Sequence, residues 1–178
     1  LLSAVAIFLT ALALQRACTL PWGSGSDGRL HFRLTVVGLS RSSDGSDGAI
    51  TDCRWWPRYG DAALCAVRAE GRTMADRLRL AYPLLQVGLW LAVASLLLQA
   101  LRVPRLRLAQ ASLPAVIAAG TLAAIMFVRQ GATDGLAALQ GITLQLDGTG
   151  FMAAVAALIL ATASAALLAT TPMQERST

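Results

Sequence analysis

Charge is scarce in this chain of 178 residues, at 14% of positions against about 25% in an ordinary soluble domain. Lysine is missing altogether: all 15 basic residues are arginine, and His31 is the single histidine. One histidine and no C-x-x-C-H sequence exclude haem held by two histidines of this chain. There is no G-x-S-x-G elbow, no H-E-x-x-H pair and no phosphate-binding loop, so catalysis by this chain alone is not expected. What abounds is apolar sequence, 56% of residues, with a mean hydropathy of +0.59. Long uncharged blocks exclude a disordered tail, a disulfide-dense mini-protein and a coiled coil, which leaves an integral membrane protein.

The apolar blocks are read as spans. Residues 80–101 (LAYPLLQVGLWLAVASLLLQAL) carry no charge over 22 positions, enough at 1.5 Å per residue to cross a hydrocarbon core of roughly 30 Å. Residues 113–128 form a shorter span ending at Arg129, whose long side chain can snorkel to the interface. Residues 151–171 form another, rich in Ala and Leu. Residues 1–15 are apolar and begin without Met, so a longer N-terminal piece is expected before them. Ala11-Leu12-Ala13 offers an A-x-A cleavage pattern, which leaves a signal peptide as the alternative to a retained helix. The preferred organisation is four transmembrane helices, at 1–15, 80–101, 113–128 and 151–171. They are joined by loops at 16–79, 102–112 and 129–150 and followed by a tail at 172–178.

Orientation follows from the short loops. Residues 102–112 hold Arg102, Arg105 and Arg107 and no acid, so this loop is expected in the cytoplasm together with both termini. The loops 16–79 and 129–150 then lie outside. Arg77 and Arg79, directly before the second span, oppose this assignment, but a long translocated loop largely escapes the charge bias. Ten arginines between Arg16 and Arg79 are interleaved with seven acids, a solvated surface and not a phosphate-tracking stripe; nucleic acid is not an expected partner.

The first loop is too long for a connector. Leu30, Phe32, Leu34 and Val36 alternate with His31, Arg33, Thr35 and Val37, predicting a strand with one apolar face. Turn formers fill residues 40–48 (SRSSDGSDG), and 49–56 (AITDCRWW) read as a second strand, so a β-hairpin turning on the Asp-Gly pairs is expected. No D-x-D-x-D-G run turns these acids into a calcium loop. Residues 61–80 carry Ala63, Leu64, Val67, Met74 and Leu78 at near-helical spacing, predicting an amphipathic helix that leads into the second span. Cys53 and Cys65 flank the break at residues 57–60 with 11 residues between them; either they pair in an oxidising compartment, or all three cysteines are independent small hydrophobes. The fold class is thus an all-α membrane protein, a four-helix bundle with a small extracytoplasmic hairpin-plus-helix domain in the first loop.

Candidate interaction residues are aromatic or small. Trp22, Trp55, Trp56 and Tyr59 are candidate anchors to the headgroup region or to a partner; the headgroup role suits Trp22 best. Trp55 and Trp56, adjacent in a strand, point to opposite faces. Ala154, Ala157, Ala161 and Ala165 on the last span, and Ala115, Ala119 and Ala123 on the third, recur at spacings of three and four. Small residues let helix backbones approach closely, so these stripes favour association inside the bundle or with another protein. The residues 135–146 read as a mildly amphipathic surface stretch.

The order of one helix, a long outer loop with two strands and two cysteines, a short inner turn, and two more helices joined outside resembles the claudin and peripheral-myelin-protein type of tetraspan. In that family the first loop carries a Trp near its start, Gly-Leu-Trp before the first of two cysteines, and a basic residue before the second helix. Trp22, Gly38-Leu39, Cys53, Cys65 and Arg77 occur here in that order. Ser40 stands where the family has Trp, Gly38-Leu39 lies farther from Cys53, and the cysteine spacing is slightly long. The resemblance implies an adhesion or barrier protein that self-associates through its outer loops. Composition and stripes imply something else: a non-catalytic structural or accessory subunit of a larger bacterial-type membrane complex. Its partners would be the bilayer and other membrane subunits, and it would hold no cofactor or metal of its own.

Overall fold

The computed structural model describes residues 2–26, 30–43, 53–54, 69–101, 107–137 and 143–170. Helix α1 (Leu2–Thr19) is followed by strands β1 (Gly23–Ser26), β2 (Leu30–Thr35), β3 (Gly38–Ser43) and β4 (Cys53–Arg54). Helices α2 (Ala69–Leu101) and α3 (Arg107–Ala137) come next, then strand β5 (Thr143–Gln145) and helix α4 (Thr149–Thr170). Each helix contains a window long and apolar enough to cross a membrane: Leu2–Thr19, Leu80–Leu101, Ser112–Gly131 and Thr149–Thr170. This is the architecture of a multi-pass membrane protein built on a four-helix bundle. The helices pack in a closed ring in chain order, α1 against α2, α2 against α3, α3 against α4 and α4 back against α1.

Because these helices are apolar on every side, hydrophobicity cannot decide which face turns inward. On α2 and α4 the inward seam is built mostly of small residues. On α2 the buried positions are Ala81, Leu85, Gly88, Ala92 and Ser95, spaced alternately four and three apart. On α4 they are Gly150, Ala154, Ala157, Ala161 and Ser164. The outward positions of the same helices carry Val87, Trp90, Leu97, Met152 and Ile159. Alternating steps of three and four average to the 3.5-residue seam of left-handed helix packing, which small residues allow to close tightly. Larger side chains fill the places where three helices meet: a Cβ on Gly88 would lie 3.5 Å from Leu14 Cδ1 of α1 and 3.9 Å from Ile117 Cγ2 of α3.

The strands form one antiparallel sheet in the order β4-β3-β2-β1-β5. It sits where α1 ends and α4 begins. Its first four strands come from the segment between α1 and α2, whereas β5 comes from the segment between α3 and α4 and pairs with β1 through Gly25 and Leu144. Two expectations change here. The hairpin turns at Val36-Val37, with Thr35 opposite Gly38, so Ser40 to Ser43 belong to a strand and not to the turn. The reason is tertiary: Val36 is completely buried in the core, and this burial outweighs the poor turn propensity of a β-branched pair. Likewise Thr143–Gln145, within the stretch read as amphipathic, is a strand of the sheet, paired with β1. Of the expected second strand, Cys53–Arg54 is described, paired to β3 through Leu39; of the expected amphipathic helix, the part from Ala69 onward is described and runs unbroken into the second span.

The seam predicts a sign for substitutions. Ala157→Leu should destabilise the bundle by about 1–3 kcal/mol through overpacking. Ile159→Leu, on the outward face of the same helix, should leave denaturant unfolding in micelles unchanged.

Candidate functional site

The most constrained place in the molecule is the junction of sheet and bundle, and it begins with the end of α1. A helix leaves its last four carbonyls without intrahelical donors. Here Leu20 N–H donates to Arg16 O at 2.9 Å, and the Thr19 hydroxyl lies 3.1 Å from Gln15 O. The carbonyl of Ala17 is satisfied by a side chain from farther on: the indole Nε1–H of Trp22 donates to it at 2.7 Å. Exposed Arg16, in the last turn, adds a positive charge at the negative end of the helix dipole.

Trp22 then ties three more segments together. Its backbone N–H donates to Leu34 O of β2 at 2.7 Å, and its carbonyl accepts from Gly148 N–H at 3.0 Å, just before α4. Its ring meets Phe151 of α4 edge to face, with centroids 5.9 Å apart and an interplanar angle of 66°. The neighbouring Pro21 carbonyl accepts from Gly150 N–H at 2.7 Å, which satisfies one of the free donors at the start of α4. Trp22 is completely buried, with its indole N–H, backbone N–H and carbonyl all paired.

This contact brings two backbones closer than any side chain permits. A Cβ on Gly148 would stand 2.6 Å from the carbonyl carbon of Trp22, and one on Gly150 would stand 2.8 Å from Trp22 Cδ1. Both glycines are therefore required by close approach. Assigning residues 129–150 to a loop leaves both glycines unmarked. The signal was present, as two glycines spaced around Thr149 at the mouth of a span.

The sequence-predicted residues are distributed as follows. Trp22 is a correction: it is neither a headgroup anchor nor a partner contact, because its whole side chain is enclosed by α1, β2 and α4. Ala154, Ala157 and Ala161 are buried in the bundle and Ala165 is half-buried. On α3 the bundle uses a different face, formed by Pro114, Ile117, Ala118, Thr121, Ala124, Ile125 and Val128. Ala115 and Ala119 are instead exposed and Ala123 is half-buried. Cys53 takes its place in β4, whereas Cys65, Trp55, Trp56 and Tyr59 lie outside the described residues, as does any pairing of Cys53 with Cys65. Cys18 is a free cysteine buried on α1 and hydrogen-bonded to Gln86 of α2.

Among the described residues no three of His, Cys, Asp and Glu come together as a metal site. The polar groups inside the helices are mostly hydroxyls that bond back to their own helix, as Thr10 does to Ala6 O and Thr121 to Ile117 O, both at 2.8 Å. Such groups support packing and are uncharged at neutral pH. The arrangement places a sheet at one end of the bundle and leaves outward on α3 the small residues Ala115 and Ala119 beside Val116 and Leu122. No known protein family matches the chain, and no curated protein is detectably similar to it.

The junction predicts a strong and specific dependence on Trp22. Trp22→Ala should cost about 3–5 kcal/mol in denaturant unfolding of the detergent-solubilised protein, and Trp22→Phe, which retains an aromatic ring, distinctly less. Gly148→Ala should destabilise while Thr149→Ala, at an exposed neighbouring position, should not; equal effects at the two positions would refute the close-approach account.

Proposed function

We propose that this protein is a non-catalytic structural or accessory subunit of a larger membrane complex, joined to its partners through outward helix faces and through the sheet. The observation that carries this reading is the position of Ala115 and Ala119. They form a small-residue step on α3 that the bundle does not use, whereas the equivalent step on α4, Ala154 with Ala157 and Ala161, is consumed internally. A small-residue step facing outward lets another transmembrane helix approach closely, and van der Waals packing of that kind is the main force available between helices in lipid. In this reading the arginine-rich link between α2 and α3 and both termini lie in the cytoplasm, and the sheet lies on the opposite side. Partners would be unlike membrane subunits together with the surrounding bilayer.

A second reading, a claudin-like protein that self-associates through its outer segments, is favoured by one observation. β5 joins the sheet of β1 to β4, so both segments at that end of the bundle present a single surface.

Native mass spectrometry of the mildly solubilised assembly separates the two readings. Unlike subunits in fixed stoichiometry are expected for the first, and a homo-oligomer alone would replace it with the second. For the first, the double variant Ala115→Leu/Ala119→Leu should lose the partner subunits while keeping the unfolding midpoint of the isolated chain.

A further inference from the structure

The span regions hold one polar feature that neither packing nor association accounts for. Four hydroxyls are buried among the described residues, one on each helix: Thr10, Ser95, Thr121 and Ser164. Three take the acceptor that a helix always offers, the carbonyl four residues back: Thr10 to Ala6, Thr121 to Ile117 and Ser164 to Leu160, at 2.7–2.8 Å. Ser95 does not. Its Oγ is fully enclosed and makes no hydrogen bond to any protein group. One turn along the same helix, the amide nitrogen of Gln99 is likewise shielded and likewise has no protein partner.

We propose that Ser95 and Gln99 form a binding site for an ordered water molecule in the half of the bundle away from the sheet. The geometry suits a single bridging molecule. Side chains at i and i+4 on a helix have Cβ atoms about 5–6 Å apart, roughly the span of two successive hydrogen bonds through one water. The chemistry suits it as well, since the Gln99 amide donates and the Ser95 hydroxyl both donates and accepts, as does water. Leaving two such groups unpaired in an apolar interior costs free energy that a bound water recovers. Access follows from position. Counting from Leu80, Ser95 lies about 22 Å and Gln99 about 28 Å along the helix, so Gln99 stands at the far edge of a core of roughly 30 Å. Beyond Ser95 the seam continues inward with Ala92 and Gly88, which offer a water no side-chain partner.

The test compares Ser95→Ala, Gln99→Leu and the double variant in the full-length protein. If Ser95 holds water, each single substitution should shift the unfolding equilibrium in bicelles toward the unfolded state by about fivefold. The double variant should then lose much less than the product of the two. If Ser95→Ala leaves the equilibrium unchanged or favours folding, the hydroxyl had nothing to lose and the site is refuted. Magnetisation transfer from water to the Gln99 side-chain amide in the wild-type protein provides a second readout that needs no variant to fold. A slowly exchanging transfer that disappears in Ser95→Ala is expected. Transfer unaffected by that substitution would place the exchange at Gln99 alone, and no transfer at all would mean that no water is held there; either result overturns the bridged water.

Discussion

One residue, Trp22, holds the two halves of the molecule in a fixed relation. A sheet attached to a membrane bundle faces a particular difficulty: at the attachment, helices end, and their unpaired carbonyls and N–H groups lie next to apolar side chains where water is scarce. The chain meets this with a single side chain whose apolar body fills the gap between α1, β2 and α4 and whose N–H finishes the end of α1. The same residue's backbone joins the sheet on one side and the segment before α4 on the other. The glycines at 148 and 150 follow from that choice, because an indole seated this deeply draws Pro21 and Trp22 against the start of α4. Helix ends, sheet register and the entry angle of the last span are thus set together.

How much of this could be read beforehand depends on the kind of signal. Span existence is written in the absence of charge, and the uncharged run at 80–101 coincides with the apolar window of α2. The strand beginning at Leu30 is written in its alternation. Its turn is not, because Val36-Val37 is a turn only by virtue of what Val36 buries. Trp22 was misread for a similar reason: a tryptophan near the end of a span ordinarily sits among headgroups, and only the return of residues 148–151 to the same place encloses it.

The alanine stripes show where periodicity itself fails. In a soluble helix the polar face sets the phase of the apolar one. In the span of α3, where most positions are apolar, small residues lie on more than one face and none of those faces is marked. Ala118 and Ala124 turn inward while Ala115 and Ala119 turn outward, a difference decided by the neighbours Ile117, Thr121 and Val128 that must fill the ring. On α4 the ambiguity is smaller, since its bulky residues Met152 and Ile159 already occupy the opposite side.

That phase choice carries the functional consequence. Small residues are most useful where another backbone is present to approach, as at Ala81, Ala92, Ala154, Ala157 and Ala161 inside the bundle. Ala115 and Ala119 lie outside the ring, small side chains on the same exposed side as Val116 and Leu122. A second helix can use such small side chains in a way acyl chains cannot, since a fixed backbone makes many simultaneous contacts with little loss of freedom. The sheet, held to the bundle by Trp22 and shared between both of its contributing segments, would then reach the same partner beyond the membrane in a defined orientation. On the proposed reading, the junction at Trp22 and the step on α3 would act together, the sheet taking its position from the helices it is joined to.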